Sequence, residues 1–320
     1  MPASAAKVVG MTQIGNSDLD IFPLAFGGNV FGWTADQATS FDLLDGFTAG
    51  GGNFVDTADG YSHWVPGNSG GESETIVGAW MAARHNRGDV MIATKVSTHP
   101  SFPGLRPDNI KAAIDASLTR LGTDHVDLYY AHFDDPTVPL AETVGALSGL
   151  VDAGKVRYIG ISNYTAERID EWMQATAADG LHAAVALQPQ YNLVERAFET
   201  NGLQAAAAKY NLGVLPYYSL ASGFLTGKYR PGVAVEGDRA GGASKYLTPQ
   251  GEAVLAALDE ISAAHGVAQA SVALAWLRAQ PTIAAPIASA SRVDQLPALL
   301  AGAALELTTD EVAALSAAGA

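Results

Sequence analysis

The sequence predicts an α/β fold, a (β/α)8 TIM barrel formed by a single domain over residues 1–320. Short apolar runs rich in β-branched residues alternate along the chain with Ala-rich segments whose apolar residues recur every three or four positions. This alternation is typical of parallel strands joined by crossover helices. Eight such units, without a linker long enough to separate two domains, favour closure of the sheet into a barrel.

We predict strands for the apolar runs, which are, in chain order, Ile21–Phe26, Phe54–Asp56, Val90–Thr94, Val126–Tyr130, Val156–Ile161, Ala184–Gln188, Gly213–Tyr217 and Ile283–Ile287. The Ala-rich segments predict helices at Ser40–Ala49, Ser73–Ala83, Pro107–Leu121, Leu140–Val151, Ala166–Ala178, Gly202–Tyr210, Pro249–His265 and Ser271–Ala279. Local chemistry supports several of these bounds. Pro107 suits a first helical turn, Gly122 suits a C-cap, and Thr248 suits the N-cap before Pro249.

Two segments fall outside the repeat. Thr12–Leu19 carries the turn residues Gly15 and Asn16, so we predict a hairpin that closes the bottom of the barrel. Ser219–Leu247, after the seventh strand, is a long loop rich in Gly, Ala and Ser. A loop of that length in a compact domain is usually functional or mobile. Its basic residues are Lys228, Arg230, Arg239 and Lys245.

The composition excludes several classes of protein. The formal net charge of −15 argues against nucleic acid or an anionic membrane as a partner. The absence of cysteine excludes disulfides, thiolate catalysis and cysteine-bound metals, and the histidines lack metal-ligand spacing, so we expect no metal. The start of the chain, MPASAAKVVG, does not resemble a signal peptide, and no apolar run is long enough to span a membrane. We therefore expect a cytoplasmic enzyme.

The most informative residues are four polar side chains at or near the ends of predicted strands. Asp56 ends FVD, Lys95 ends MIATK, His132 ends LYYAH, and Tyr61 follows Asp56 by five residues. Since the C-terminal ends of barrel strands carry the active site, we expect these side chains to meet at the barrel mouth. Each of them, taken alone, is more often a helix cap, a surface residue or a packing residue than a catalytic group.

Together the four side chains form a set that can donate a proton. Tyr61 is the candidate general acid, and a nearby Lys95 ammonium would lower the pKa of its phenol. Asp56 would supply the counter-ion that a buried ammonium requires. His132 would hydrogen-bond the oxygen of a substrate. Reduction of a carbonyl also needs a hydride, which no side chain supplies, so the set implies a nicotinamide cofactor.

At this point the sequence resembles the aldo-keto reductases over essentially its whole length. The segments that carry the resemblance are FVDTADGY, GESETIVGAW, GKVRYIGISNY, LQPQYNLVER, LPYYSLASGFLTGKYR and PIASASRVDQL. Their order and spacing are much more specific than any one motif. The resemblance is strongest to bacterial members with a long seventh loop, which are related to the potassium-channel β-subunits.

The resemblance implies that Asp56, Tyr61, Lys95 and His132 are the catalytic tetrad. It also implies an NADP(H) cofactor and a small-molecule carbonyl or alcohol substrate. The residues implied to hold the nicotinamide are Ser162, Asn163, Gln188 and Tyr217, the last by stacking on the ring. Those implied for the loop over the pyrophosphate are Leu220, Ser222, Lys228 and Arg230. Those implied for the 2′-phosphate of the adenosine are Ser289, Ser291, Arg292 and Gln295, at a strand end that opens a helix.

The chain departs from the family pattern next to these positions. Tyr217-Tyr218-Ser219-Leu220 stands where the family often has Tyr-Ser-Pro-Leu, and Ala298-Leu299 stands where it often has Glu-Asn. Ser162-Asn163 could equally form only a turn and the N-cap of the following helix. We predict that the wall of the substrate pocket is formed by loop residues at the mouth, namely Phe31, Trp33, His63 and Trp64.

Two functions are consistent with these patterns. The first is an NADPH-dependent oxidoreductase that reduces an aldehyde or ketone to the alcohol, with Tyr61 as general acid. The second is a cofactor-sensing or scaffold protein of the channel β-subunit type, with little turnover. The intact set of Asp56, Tyr61, Lys95 and His132 favours the first. The sequence does not identify the substrate, because pocket loops vary widely within this fold.

Overall fold

The structure, a computed structural model, describes residues 9–233, 235 and 240–320. Arg239 of the long loop lies outside the described residues, and so do the first eight residues of the N-terminal segment MPASAAKVVG.

Eight parallel strands form one sheet, in which the first seven strands pair in sequence order and the eighth pairs with the first. Its strands are β1 Ala25–Gly27, β2 Phe54–Asp56, β3 Met91–Val96, β4 Val126–Ala131, β5 Val156–Ser162, β6 Ala184–Gln188, β7 Gly213–Val214 and β8 Ile287–Ala288. The sheet order runs from β7 through β6, β5, β4, β3 and β2 to β1, and then to β8. The prediction of eight parallel strands in an α/β fold is confirmed.

The chain just before β8 closes the sheet. Val214 of β7 donates its N–H to Thr282 O at 2.9 Å, and Ala284 donates its N–H to Val214 O at 2.9 Å. The N–H of Ile287 reaches Pro216 O at 3.0 Å. Because β8 itself pairs with β1, these three bonds join the two ends of the sheet into a barrel.

Helices cover the outside of the sheet. Their bounds are α1 Gln37–Ala49, α2 Glu72–Arg84, α3 Pro107–Leu121, α4 Leu140–Asp152, α5 Ala166–Asp179, α6 Ala197–Thr200, α7 Leu203–Tyr210, α8 Ala240–Ser244, α9 Pro249–His265, α10 Gln269–Arg278, α11 Leu296–Ala304 and α12 Thr309–Ala318. Across the described parts of the chain, every helix is too short or too polar to cross a membrane.

The N-terminal hairpin lies at the bottom of the barrel, as predicted. Thr12–Gln13 pairs antiparallel with Asp20–Ile21. Ile14 between them is fully buried in the cluster of side chains inside the barrel. The turn is fixed to the N-terminal end of β5, because Asp18 accepts a hydrogen bond from Arg157 at 2.7 Å.

Two of the predicted strands that differ from the observed ones are the first and the eighth. The run Ile21–Phe26 is divided, so that Ile21 belongs to the hairpin and only Ala25–Gly27 joins the barrel. A tight turn separates them, with Leu24 donating its N–H to Phe22 O at 2.7 Å, and Pro23 within that turn has no N–H for a sheet. The eighth strand is also shifted, from Ile283–Ile287 to Ile287–Ala288.

Candidate active site

The C-terminal ends of three neighbouring strands bring the predicted tetrad together. Asp56 is the last residue of β2, Lys95 lies at the end of β3, and His132 directly follows β4. Tyr61 reaches the same place through a turn, in which its N–H bonds Ala58 O at 3.3 Å. The polar side chains therefore meet at the barrel mouth because the parallel strands all end on one side.

Lys95 is the centre of the site. Its side chain is fully buried, and its Nζ donates to Asp56 Oδ2 at 2.6 Å, to Thr57 O at 2.8 Å and to Tyr61 Oη at 2.9 Å. An ammonium group has three protons, so each finds an acceptor. Asp56 is buried beside it and supplies the negative charge that makes burial of the ammonium tolerable.

The pKa of Tyr61 is shifted in the direction opposite to our prediction. Burial raises the pKa of the phenol well above its ordinary value, and the negative charge of Asp56 adds to the effect. The lysine was expected to lower this pKa, but burial of the phenol and the charge of Asp56, which lies 2.6 Å from Lys95 Nζ, outweigh its effect. Tyr61 therefore keeps its proton at neutral pH, as a proton donor must before it reacts.

Burial also shifts the pKa values of Lys95 and His132. Burial lowers the pKa of Lys95, and Asp56 opposes that change. Burial also lowers the pKa of His132 to well below its ordinary value, and the positive charge of Lys95 lowers it further. His132 is therefore a neutral imidazole near pH 7, in which one ring nitrogen carries a proton and the other accepts.

The four residues predicted to hold a nicotinamide are joined to the tetrad by hydrogen bonds. Gln188 Nε2 donates to Asp56 Oδ1 at 2.9 Å, and Ser162 Oγ donates to Gln188 O at 2.8 Å. Asn163 Nδ2 donates to His132 O at 2.9 Å. Tyr217 Oη in turn donates to Asn163 Oδ1 at 2.7 Å, which fixes the orientation of the Tyr217 ring.

This arrangement fits a nicotinamide chemically. A carboxamide needs both donors and acceptors, which the amides of Asn163 and Gln188 and the hydroxyl of Ser162 provide. The partly buried ring of Tyr217 offers a flat apolar face at the same side of the barrel. Thr165, rather than Ser162 or Asn163, is the N-cap of α5, since its side chain accepts the N–H of Arg168. The prediction that the pair forms the N-cap is therefore wrong, whereas the left-handed φ of 58° at Asn163 agrees with the predicted turn.

The residues predicted for the pyrophosphate loop are spread along the segment after β7. Leu220 begins a short 3-10 turn over Ala221–Thr226, and Ser222 within it has a left-handed φ of 57°. Lys228 lies over the ring of Tyr229. Arg230 turns away from the mouth to α9, where its guanidinium pairs with Asp259 at 2.8 Å.

Ser289, Ser291, Arg292 and Gln295 all lie in the segment directly after β8, where Ser291 and Gln295 contact each other. Ser291 donates its N–H to Gln295 Oε1 at 2.9 Å, and its hydroxyl lies 2.7 Å from Thr34 Oγ1. Ser289 Oγ donates to Asn29 Oδ1 at 2.6 Å, so hydroxyls of the β8 loop meet the loop after β1. Arg292 extends outward with 66% of its side chain exposed, and it pairs with Asp294 at 3.0 Å.

Aromatic rings surround the mouth, although Phe31 is not one of them. The ring of Trp64 packs against Trp33 at 5.7 Å, Tyr61 at 6.4 Å and His63 at 5.5 Å between centroids. The prediction that Phe31 lines the pocket is wrong. Its ring is fully buried and stacks on Phe26 in the core, because its short 3-10 turn directs it inward.

Two aromatic residues at the mouth were missed. Phe133 follows His132 directly and is 47% exposed, and Tyr218 follows Tyr217 and is 54% exposed. Tyr218 also has a left-handed φ of 54°, held in place by Asn192 Nδ2, which donates to Tyr218 O at 2.9 Å. A non-glycine residue in that conformation at a site is often functional. The signal in the sequence was the tyrosine in a position where the family pattern has serine.

Comparison with known proteins identifies the family of the chain. The family model described as "Aldo/keto reductase family" matches residues 23–320. Protein tas of Escherichia coli is 33% identical, with 95% of this chain and 96% of that protein covered. Norsolorinic acid reductase B of Aspergillus parasiticus is 31% identical over 93% of this chain and 81% of that protein. A probable voltage-gated potassium channel subunit beta of Oryza sativa is 32% identical, covering 89% and 88%.

Proposed function

Since the chain belongs to the aldo/keto reductase family, we propose that it is an oxidoreductase that uses NADPH to reduce an aldehyde or ketone, with Tyr61 as general acid. The observation that carries this proposal is the buried Lys95, whose Nζ contacts Asp56, Thr57 O and Tyr61. If the ion pair between Lys95 and Asp56 were only structural, Lys95 would not need a hydrogen bond to the partly exposed phenol of Tyr61. Bound NADPH would supply the hydride.

The residues of this chain would move and stabilise the proton. Tyr61 holds its proton at neutral pH and would release it to the oxygen of the substrate as negative charge develops there. The Lys95 ammonium, 2.9 Å from Tyr61 Oη, would stabilise the phenolate that remains. Neutral His132 would donate a hydrogen bond to the same oxygen from a ring nitrogen, which positions the carbonyl.

The preference for NADPH rests on the cluster after β8. An exposed guanidinium, two hydroxyls and the start of a helix are suited to a phosphate. The ion pair between Arg292 and Asp294 is exposed, so the carboxylate is a weak competitor for a doubly charged phosphate. We assign the nicotinamide to Tyr217, Asn163, Ser162 and Gln188, and the wall of the substrate pocket to Trp33, His63, Trp64, Phe133 and Tyr218.

The test follows NADPH oxidation at about 340 nm with a panel of aldehydes and ketones, and compares Tyr61→Phe with the parent protein. Loss of the proton donor should lower kcat by about a thousandfold or more, while the Kd for NADPH stays within about twofold. Tyr158→Phe is the matched control, since Tyr158 lies at the opposite end of the barrel, where its hydroxyl accepts the N–H of Asp18.

Two results would contradict the proposal. Substantial turnover by Tyr61→Phe would exclude Tyr61 as the acid. Tight NADPH binding without turnover of any carbonyl by the parent protein would instead favour the cofactor-sensing function.

A further inference from the structure

Asp59 is a buried acid beside the site that the proposed reaction does not use. It occupies the turn between Ala58 and Tyr61, and its side chain is fully buried. Its Oδ1 accepts from Thr98 Oγ1 at 3.4 Å, and its Oδ2 has no hydrogen-bond partner among the residues that the structure describes. An unpaired buried carboxylate oxygen is costly, so the presence of this acid next to Tyr61 calls for a physical reason.

The cations nearest to Asp59 are already engaged. Arg120 of α3 donates to Glu74 Oε2 of α2 at 2.6 Å, and Glu74 is itself fully buried. Lys95 of β3 gives its three protons to Asp56, Thr57 O and Tyr61.

The remaining charged and titratable groups do not stabilise an ionised Asp59. Tyr129 of β4 presents only a neutral phenol, whose pKa burial and the charge of Asp59 raise. Burial, followed by the negative charge of Glu74, raises the pKa of Asp59 to about 8, although the backbone N–H of Gly60, the charge of Arg120 and the hydroxyl of Thr98 oppose this rise. Asp59 can therefore gain or lose its proton near neutral pH.

Thr98 connects this acid to the catalytic histidine. Its Oγ1 lies 3.4 Å from Asp59 Oδ1 and 3.4 Å from His132 Nδ1, at the long end of the hydrogen-bond range. The backbone holds it there by two unusual features. Ser97 before it has a φ of 120°, and a Cβ on Gly60 would lie 2.5 Å from Thr98 Oγ1, so only glycine permits this approach.

We propose that Asp59 is a positioning residue that acts through Thr98 to select which ring nitrogen of His132 carries the proton. This inference rests on the proposed function, in which His132 donates to the oxygen of the substrate. The hydroxyl of Thr98 has one proton, so it donates either to Asp59 or to His132 Nδ1, and the protonation state of Asp59 decides which.

The two states differ in what His132 offers to a substrate. When Asp59 is protonated, it donates to Thr98 Oγ1, Thr98 donates to His132 Nδ1, and the ring proton lies on Nε2. When Asp59 is ionised, Thr98 donates to it and accepts from His132 Nδ1–H, which leaves Nε2 without a proton. Only in the first state can Nε2 of His132 donate a hydrogen bond to a carbonyl oxygen. Reduction and the reverse oxidation share one transition state, so both directions require the first state.

The pH profile of reduction should reflect this switch. The reductive kcat/KM should fall about tenfold between pH 7 and pH 9 as Asp59 ionises. Tyr61 does not contribute in this range, because its phenol keeps its proton. In Asp59→Asn no group titrates, and the amide NH2 can donate to Thr98, so the decline should disappear. Thr98→Val removes the hydroxyl but keeps the shape of the side chain, so the decline of kcat/KM with pH should disappear in this variant as well.

The deciding measurement is the 15N NMR spectrum of the His132 ring in the free protein, from about pH 6 to about pH 10. His132→Gln identifies the signals. We expect the proton to move from Nε2 to Nδ1 in the parent protein, but not in Thr98→Val or Asp59→Asn. The control is Thr137→Val, which removes a threonine–aspartate bond of the same kind, to Asp135 at 2.6 Å, in the loop after His132, and should keep the switch.

Each outcome of the NMR experiment either supports or overturns the proposed role of Asp59. A single His132 tautomer across the whole range in the parent protein would overturn the proposal, and so would a switch that survives in Thr98→Val. The spectrum needs neither cofactor nor turnover. A protein that shows the switch but reduces no carbonyl would therefore refute the proposed function and not the connection between Asp59 and His132.

Discussion

At the scale of single residues, burial decides the electrostatics of the site. The residues of the tetrad could be predicted from the sequence, because each stands at or just after the end of an apolar run. The direction of the Tyr61 pKa shift could not be predicted, since it depends first on how deeply the phenol is buried and then on how near Asp56 lies, and no sequence spacing gives either. The raised pKa of Asp59 could not be predicted from the sequence either, because its neighbours Glu74 and Arg120 come from two different helices.

Asp59 should make the stability of the protein depend on pH. Its folded-state pKa of about 8 lies above the ordinary value of 3.8, so the stability contributed by its protonated form is lost as pH rises towards 8. Between pH 6 and pH 8 the loss should be roughly 2–3 kcal/mol in the free energy of unfolding. Asp59→Asn should remove this part of the decline. Urea unfolding of both proteins at several pH values tests it, and parallel curves would contradict it.

Arg292 should govern the choice between the two nicotinamide cofactors. Arg292→Ala should lower the ratio of kcat/KM for NADPH over NADH by about tenfold or more, because a charge-assisted bond to the 2′-phosphate is lost while NADH loses nothing. Arg84→Ala is a suitable comparison, since it breaks a similar exposed ion pair, to Asp45 at 2.7 Å, on the outer helices. An unchanged ratio would remove Arg292 from the cofactor site.

At the scale of elements, the helices with clear end signals were predicted best. Pro107–Leu121 and Pro249–His265 have their predicted bounds, because each begins with proline and is followed by a left-handed glycine. Strands β7 and β8 are only two residues long, and much of their pairing comes from irregular chain around Thr282. Periodicity cannot reveal such pairing. Helix α12 was missed, although Thr308 and Glu311 form a capping box at its start.

One acid in the loop after β6 contributes to the attachment of α8. Glu195 Oε1 lies 3.1 Å from Tyr246 Oη and 3.3 Å from Lys245 Nζ, just beyond the end of α8. Glu195→Gln weakens both bonds and should cost about 1 kcal/mol of local stability. Hydrogen exchange of residues 240–247 should become several times faster. Glu171→Gln, which loses a bond to Arg168 on α5, should leave that segment unaffected. Equal exchange rates in the two variants would contradict the role of Glu195.

At the scale of the whole molecule, the barrel depends on its closure between β7 and the chain before β8. If Val214 and Ala284 complete one cooperative sheet, their amides should exchange only through global unfolding. Their exchange free energies should then match that of the slowest core amides. Hairpin amides such as Gln13, at the bottom edge, should exchange sooner through local opening. Fast exchange at Val214 in an otherwise protected sheet would indicate a barrel that opens at this seam.

The three hydrogen bonds of Lys95 also affect how readily its amine would react with an aldehyde. Aldehydes condense with uncharged amines to form imines, and a lysine within the mouth of an enzyme that binds aldehydes is the residue most at risk. An amine attacks through its lone pair, which an ammonium does not have. Since Asp56, Thr57 O and Tyr61 each hold one proton of Nζ, Lys95 has neither a free electron pair nor room to turn towards the carbonyl carbon. If Tyr61 is the proton donor, as we propose, the contacts that hold it next to Lys95 would thus also keep the lysine from being consumed by an aldehyde substrate.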